Sequence, residues 1–325
     1  MATKKLPQLA KSPVIAELPV ACADEAAGVE FFERKRWGDC PCCPNCGDVD
    51  VYQMKDRKTG QRNKDFRWRC RGCSKLYSVR TGTVFEESLL PMHKWARAVW
   101  EASVSKNGVS ALELSRKLEI TYKSALFMMN RLRFAMQQDP SNPPKLTGTV
   151  EADETYWGGR PRHKRKGITG NPPGKPKTPV FAAIQRNGEV RARVLPSVTA
   201  ANLREALTEC VDPSARLVTD DLNLYWKAGK PFARHDRVKH SVGEYVNKED
   251  PTLHSNTIES FFARLKRKLH GTHHNVSKKH LHRYVTEAAF MYNTREMNDG
   301  ERVESLIRQT NGKRLVYRDR LNLAG

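Results

Sequence analysis

The chain has 325 residues and a mass of 37.0 kDa, which exceeds the usual size of one domain, so we expect two or three domains. Its 57 Lys and Arg residues outnumber its 36 Asp and Glu residues, and the resulting formal charge of +21 predicts a polyanionic partner. A membrane or secreted protein is not expected, because no apolar stretch approaches the roughly 18 residues of a membrane span and residues 1–19 lack a secretory signal.

Residues 1–36 are interpreted as a basic leader followed by a short helical segment. Pro7, Pro13 and Pro19 punctuate the leader, and closely spaced prolines discourage regular structure. We therefore expect residues 1–19 to be disordered.

Two Cys-x-x-Cys knuckles follow, in a segment from residue 37 to 85 that we interpret as a zinc ribbon. We expect a cytoplasmic, nucleoid-associated protein with reduced cysteines, and four thiolates at this spacing bind zinc in a closed tetrahedral site. Gly47 and Gly72 favour tight metal-binding turns. Cys40 and Cys42 offer alternatives to the first ligand. The preferred zinc ligands are Cys43, Cys46, Cys70 and Cys73.

Basic and aromatic residues are interleaved between the knuckles, a pattern typical of a surface that follows phosphates. Tyr52, Phe66 and Trp68 are the aromatic members. A basic face that contacts only solvent is the alternative. The residues of this segment that we predict to bind DNA are Lys55, Arg57, Arg67 and Arg69.

Residues 90–138 have helical periodicity, with two amphipathic helices joined by a short turn near 119–121. This arrangement resembles a helix-turn-helix, whose second helix would present Thr121, Tyr122 and Lys123 to a DNA groove. A purely structural pair of helices is the alternative. Prolines mark a linker at 139–145.

Short apolar runs and helical stretches predict a mixed sheet flanked by helices between residues 147 and 298. A basic, Gly- and Pro-rich loop is expected at 160–177, a helix at 200–210 capped by Thr199, and a C-terminal tail at 299–325. Three meandering strands, a helix, two further strands and terminal helices are the order expected of an RNase H-like fold. The strands are predicted at 148–156, 179–185, 190–195, 217–220 and 237–240, and two later helices at 255–269 and 277–293.

Three carboxylates occupy settings that suit two magnesium or manganese ions. Asp153 and Asp220 lie at the ends of predicted strands, and Glu259 lies in a predicted helix. Hard cations prefer carboxylate oxygens, and two of them can clamp the attacking and leaving oxygens of a phosphodiester. Because side chains alternate along a strand, only one of Asp153 and Glu154, and one of Asp220 and Asp221, should face the metals.

The chain resembles bacterial insertion-sequence transposases with an N-terminal zinc ribbon and an RNase H-like DDE domain, specifically the ISXO-like group. Besides the two knuckles, the resemblance rests on several ordered motifs and covers most of the chain. These motifs are Val-Arg-Thr-Gly-Thr-Val-Phe at 79–85, Val-Glu-Ala-Asp-Glu-Thr-Tyr-Trp-Gly-Gly at 150–159, Val-Thr-Asp at 218–220, Asn-Thr-Ile-Glu at 256–259 with Lys266, residues 271–281, Tyr284 and Asn-Thr-Arg at 293–295.

The resemblance implies that Asp153, Asp220 and Glu259 form the metal-binding triad, with Lys266 as a companion base. Arg264 and Arg267 would contact DNA beside it, and Asn256 is a weaker candidate near the third acidic position. It also implies cleavage at element ends followed by strand transfer to target DNA, in at least a dimer. The fold class is thus α+β and multidomain: a zinc ribbon, a helix-turn-helix-like segment and an RNase H-like sheet flanked by helices.

Two other functions are compatible with these residues. A non-catalytic, site-specific DNA-binding protein would use the zinc and helical modules and leave the acids inert. A nuclease or resolvase on the same fold would hydrolyse DNA without joining it. Strand transfer to a target would separate the transposase from both.

Overall fold

A computed structural model describes residues 12–138, 144–158, 177–238 and 253–315. The chain forms two compact units: Met1–Met136 with Thr294–Gly325, and Gln137–Asn293. Most of the predicted linker at 139–145 and of the predicted basic loop at 160–177 lies outside the described residues. No helix in the described part of the chain is both long and apolar enough to cross a membrane.

The first unit begins with two helices, α1 (Pro13–Ala21) and α2 (Glu25–Trp37). Helix α1 corrects the prediction of disorder over residues 13–19, whereas residues 1–11 of the predicted leader lie outside the described residues. Pro13 occupies the first turn, where a helix needs no backbone N–H, and the buried Val14 and Leu18 supply packing that outweighs the cost of Pro19.

A small antiparallel sheet follows, in the order β1-β2-β3. Its core contains Trp68, Tyr77 and two of the knuckle cysteines, with Trp37 packed against them. The strands are β1 (Val51–Gln53), β2 (Trp68–Cys70) and β3 (Leu76–Tyr77). Such short strands around so few apolar residues indicate that the ribbon needs a further source of stability.

Three helices complete the N-terminal part of this unit: α3 (Met92–Val104), α4 (Ala111–Leu118) and α5 (Tyr122–Ala135). Helix α4 ends at Glu119, which adopts a left-handed conformation with φ of 51°, and Thr121 caps the start of α5. The predicted turn near 119–121 therefore separates the two helices.

Residues assigned to a C-terminal tail instead include helix α10 (Asp299–Gln309), which belongs to the first unit. Asn298 and Glu301 form a reciprocal capping box at its start. The backbone N–H of Val84 donates to the carbonyl of Thr310, which ties the end of α10 to the segment after the ribbon.

The second unit contains a five-stranded sheet in the order β6-β5-β4-β7-β8. Strands β4, β5 and β6 are antiparallel, and β7 and β8 add in parallel to β4 and β7 respectively. The strands are β4 (Thr149–Trp157), β5 (Thr178–Gln185), β6 (Val190–Val194), β7 (Arg216–Asp220) and β8 (Arg234–Val238). The last strand begins earlier than the predicted 237–240, because its pairing with β7 extends over polar residues that show no apolar run.

Helices cover both faces of this sheet, each over its own hydrophobic core. One core joins β4, β5 and β7 to α6 (Ala200–Cys210) and α7 (Asn223–Ala228). The other joins β5 and β6 to α8 (Asn256–Lys268) and α9 (Leu281–Asn293). A π-helical turn, Leu269–His273, and a 3₁₀ turn, Lys278–His280, connect α8 to α9. Together the two units confirm the predicted α+β multidomain class.

Candidate functional site

The four cysteines of the two knuckles converge at one point of the ribbon. The Sγ atoms of Cys43 and Cys73 are 3.6 Å apart, as are those of Cys46 and Cys70, and all four lie within 4.8 Å of one another. A tetrahedral zinc site with Zn–S bonds of about 2.3 Å places its sulfurs about 3.8 Å apart. The spacing therefore fits zinc, and the cluster does not include the alternatives Cys40 and Cys42.

Local backbone bonds shape the first knuckle. The N–H of Gly47 donates to the carbonyl of Cys43, and the N–H of Cys43 donates to the carbonyl of Asp48. Gly47 has φ of 78°, a conformation that favours glycine, whereas Gly72 has no such φ and lies against the tip of the Asp48 side chain. Gly47 thus has the turn role predicted for it, and the role of Gly72 stays a prediction.

Some residues between the two knuckles, where a phosphate-binding surface is predicted, are exposed, and others pack inside the first unit. Arg62 forms an ion pair with Glu33, and the buried Trp68 donates from Nε1 to the same carboxylate at 2.7 Å. Both therefore belong to the packing of the ribbon against α2, which corrects the prediction that Trp68 is part of the phosphate surface. The four predicted DNA contacts of this segment, Lys55, Arg57, Arg67 and Arg69, are exposed.

The predicted recognition residues lie at the start of α5. The Thr121 hydroxyl accepts a hydrogen bond from the N–H of Ser124 at 3.2 Å and so caps the helix. Tyr122 and Lys123 are exposed, with 55% of Tyr122 accessible, whereas Met128 and Met129 are fully buried. An exposed aromatic and a cation at a helix N-terminus leave this turn available to DNA, and the methionines form the core.

The two strand acids lie at the same edge of the large sheet. Strands β4 and β7 run parallel, and their last aligned pair, Ala152 with Thr219, immediately precedes Asp153 and Asp220. Asp153 is aligned with Ala182 of β5, whose side chain belongs to the core beneath α8. Alternation along the strands therefore directs Asp153 and Asp220 to the face that α8 covers.

The pKa of the Asp153 carboxyl at this edge of the sheet is raised. Burial is the largest influence on its carboxyl and raises the pKa, against a hydrogen bond from the N–H of Glu154 to Oδ1 at 2.7 Å. The charges of Asp220, Glu154 and Glu259 add to the effect of burial, and the pKa reaches about 8. A bound cation would reduce the repulsion between these neighbouring carboxylates.

Glu154 has a different environment from Asp153, as alternation predicts. The hydroxyl of the buried Tyr225 donates to Glu154 Oε2 at 2.7 Å, and Tyr225 belongs to the core beneath α6 and α7. Burial raises the pKa of Tyr225 well above its usual value, and the nearby carboxylates raise it further, so this hydroxyl remains a proton donor. Glu154 is thus held against the opposite core.

The third acid lies in the first part of α8. Glu259 is exposed, and its Oε1 accepts a hydrogen bond from the Ser255 hydroxyl at 3.1 Å. Lys266 follows two helical turns later and is exposed, as are Arg264 and Arg267. The basic residues predicted to contact DNA are therefore accessible on the helix that carries Glu259.

Glu151 is a site residue that the sequence did not single out. It is fully buried, and its Oε1 is 2.7 Å from Arg186 Nε, while its Oε2 accepts from the N–H groups of Thr257 at 2.9 Å and Ile258 at 3.0 Å. A glutamate inside a predicted buried strand was the available signal, because a buried carboxylate requires partners.

Comparisons with known proteins match the two regions of the chain that contain these residues. Residues 23–76 match the family described as a transposase zinc-ribbon domain, and residues 145–293 match the ISXO2-like transposase domain. These two domain matches support a transposase with a zinc ribbon. The matched regions contain the two knuckles and the motifs from 150 to 281, whereas the motif at 79–85 lies outside them, and the predicted resemblance is confirmed.

A relative of the transposase is described as an uncharacterized protein in transposable element ISH50 of Halobacterium salinarum. It is 29% identical over 274 residues, which cover 80% of this chain and 88% of the relative. The transposase also matches a chain in a cryo-EM structure of the simian T-cell lymphotropic virus intasome in complex with PP2A regulatory subunit B56 gamma. That match has 13% identity and a TM-score of 0.27, and covers 61% of this chain and 65% of that one.

The zinc-ribbon match and the four-sulfur cluster together support a structural Zn²⁺ ion in this transposase. The DDE domain match indicates an enzyme that processes nucleic acid.

Proposed function

We propose that this transposase binds the ends of an insertion sequence and catalyses metal-dependent cleavage and strand transfer of DNA. The observation that carries the proposal is the meeting of Asp153, Asp220 and the helix of Glu259 on one face of the sheet. These acids come from elements remote in sequence, and burial together with the charges of Asp220, Glu154 and Glu259 raises the pKa of Asp153.

Two Mg²⁺ or Mn²⁺ ions fit this site by the chemistry of its donors. Asp153, Asp220 and Glu259 would hold them, because hard divalent cations prefer carboxylate oxygens and a bound cation would offset the negative charges around the buried Asp153. When bound, such ions supply Lewis acidity for the attack on a phosphodiester by water or by a DNA 3′-hydroxyl.

The exposed basic residues of α8 would hold the DNA strand at this edge. Lys266 would act as a point charge on a phosphate, whereas Arg264 and Arg267 can donate in pairs to phosphate oxygens. Hydrolysis at the element end and transfer to a target would both use this surface, because both reactions present a phosphodiester to the same acids.

The first unit would select the element end in double-stranded DNA. Lys55, Arg57, Arg67 and Arg69 would follow the phosphates, and Thr121, Tyr122 and Lys123 would enter a groove, at whose edge the Lys123 ammonium group would contact one phosphate. We propose residues 37–85 and 90–138 as the two DNA-binding modules, and 147–298 as the catalytic domain. Joining two ends to one target requires at least a dimer, and the enzyme would act on DNA in the nucleoid.

An in vitro strand-transfer assay tests the proposal. Labelled element ends, a target plasmid and Mg²⁺ or Mn²⁺ are incubated with the wild type or with Glu259→Gln. Joined products from the wild type alone are expected. Glu205→Gln, an exposed glutamate of α6, is the matched control and should leave joining unchanged.

Other outcomes would assign a different function. Cleavage without joining would indicate a nuclease or resolvase on this fold. Specific end binding without chemistry in either protein would indicate a DNA-binding protein and contradict the proposed reaction.

A further inference from the structure

A side chain of strand β4, and not one from the helix itself, caps the N-terminus of helix α8. The first N–H groups of a helix have no partner within it, and the N-cap side chain usually accepts a bond from one of them. Here Ser255 is the N-cap residue, and its side chain makes no capping bond. The carboxylate of Glu151 takes that role, with Oε2 accepting from the N–H groups of Thr257 and Ile258.

The contacts of Glu151 join strand and helix at several points. Its Oε1 also accepts from the Thr257 hydroxyl at 2.9 Å, and the helix N-terminus favours its negative charge. Arg186 of the neighbouring hairpin donates from Nε to the same oxygen. Its Nη2 donates to the carbonyl of His254, just before the helix, at 2.8 Å. The start of α8 is thereby bound to β4 and to the end of β5.

The Ser255 hydroxyl makes a different hydrogen bond, because Glu151 already accepts from the first N–H groups of the helix. It donates to Oε1 of Glu259 at 3.1 Å. Ser255 is itself buried, with 3% of its surface exposed, so this donor has a defined position beneath an otherwise exposed carboxylate.

We propose that Glu151 and Ser255 are positioning residues for Glu259. Glu151 anchors the first turn of α8 to the strand that carries Asp153 two residues later, and Ser255 orients the Glu259 carboxylate toward that strand. The inference rests on the proposed role of Glu259 as a metal ligand.

Two variants of the full chain separate these roles. Glu151→Gln removes the charge that accepts from the helix and from Arg186, whereas Ser255→Ala removes the hydroxyl and leaves the Glu151 cap. Glu205→Gln is the matched control. Each is measured by hydrogen–deuterium exchange of residues 256–262, by single-turnover cleavage of labelled ends across a Mn²⁺ titration, and by end binding.

Glu151→Gln should increase amide exchange at the start of α8 at least about tenfold and slow cleavage about 100-fold, since small displacements of a reacting group have effects of that size. Ser255→Ala should leave exchange unchanged, slow cleavage about tenfold and raise the Mn²⁺ concentration for half-maximal rate. End binding should stay within about twofold in both variants.

Unchanged exchange in Glu151→Gln would overturn the anchoring role. If that variant does not fold, Ser255→Ala still tests the orientation of Glu259, and wild-type rate and Mn²⁺ dependence would overturn it. Absence of cleavage by the wild type would instead overturn the proposed function, while exchange in Glu151→Gln tests the anchor without any chemistry.

Discussion

The two candidate metal sites of this transposase are built in opposite ways. The ribbon gathers four sulfurs from two short knuckles, and local turns bring them within 4.8 Å of one another. The acids at the sheet edge come from β4, β7 and α8, and they approach only because a five-stranded sheet and two cores are already in place. One site creates its fold, whereas the other depends on a fold that exists without it.

This difference predicts how each site responds to loss of its ligands. The ribbon has a small core, so its stability should come largely from the metal. The second unit has two hydrophobic cores, so it should stay folded when a carboxylate is removed.

Removal of zinc should have the largest effect. Cys70→Ser, or treatment with a strong chelator, should unfold the ribbon and abolish end binding, because structural zinc contributes on the order of 10–16 kcal/mol in small zinc modules. Zinc content, end binding and the thermal transition of the second unit are measured together. Cys210→Ser, in the second unit, is the control. A ribbon that retains zinc and end binding after Cys70→Ser would contradict the assignment of ligands.

Asp153→Asn should abolish cleavage without unfolding the protein. Loss of a direct metal ligand should exceed the roughly 100-fold effect typical of an outer-shell partner. Cleavage is measured at saturating Mn²⁺, and end binding and melting temperature are measured on the same preparation. End binding should remain close to wild type, because Asp153 contacts no phosphate in the proposed complex. Loss of end binding would count against its role as a ligand.

Glu287→Ala should destabilise the second unit by about 3–5 kcal/mol, because it leaves the charge of Lys268 buried. The two side chains form a 2.9 Å ion pair between α9 and α8, and both are almost fully buried. Chemical denaturation measures the change, with the exposed Glu205→Ala as control. A decrease below about 1 kcal/mol would mean that water reaches Lys268 after the substitution.

Lys123→Ala should have the smallest effect. If its ammonium group contacts one phosphate, the slope of log affinity for the element end against log salt should fall by about 1. Binding is measured between low and moderate salt, with Lys106→Ala as the control from the exposed turn before α4. An equal slope in wild type and Lys123→Ala would place this residue away from the DNA backbone.

Local patterns made much of this fold predictable. The helix at 200–210 and its Thr199 cap are observed as predicted, since both depend on neighbouring residues. The knuckle spacing likewise identified the four cysteines, because the ligands and turns of that site are adjacent in sequence. The sequence pattern pointed to Asp153 and Asp220 for a related reason, because each of them closes an apolar run.

Features that depend on distant residues were missed. Helix α1 tolerates two prolines because α1 packs within the first unit, and α10 forms in what looked like a tail for the same reason. The contacts of Glu151 involve Thr257 of α8 and Arg186 after β5, which only the folded unit brings to it. Composition and periodicity contain no information about such pairs.

The first unit contains segments from both ends of the chain, which affects when it can fold during synthesis. Helix α10 and the residues after it complete that unit, since Val84 bonds to Thr310 and Thr83 pairs with Asn311. Domains usually fold in the order in which the ribosome releases them. Here the first unit is complete only after the whole second unit has been translated, so a chain interrupted by a premature stop codon within the second unit would lack part of the first unit.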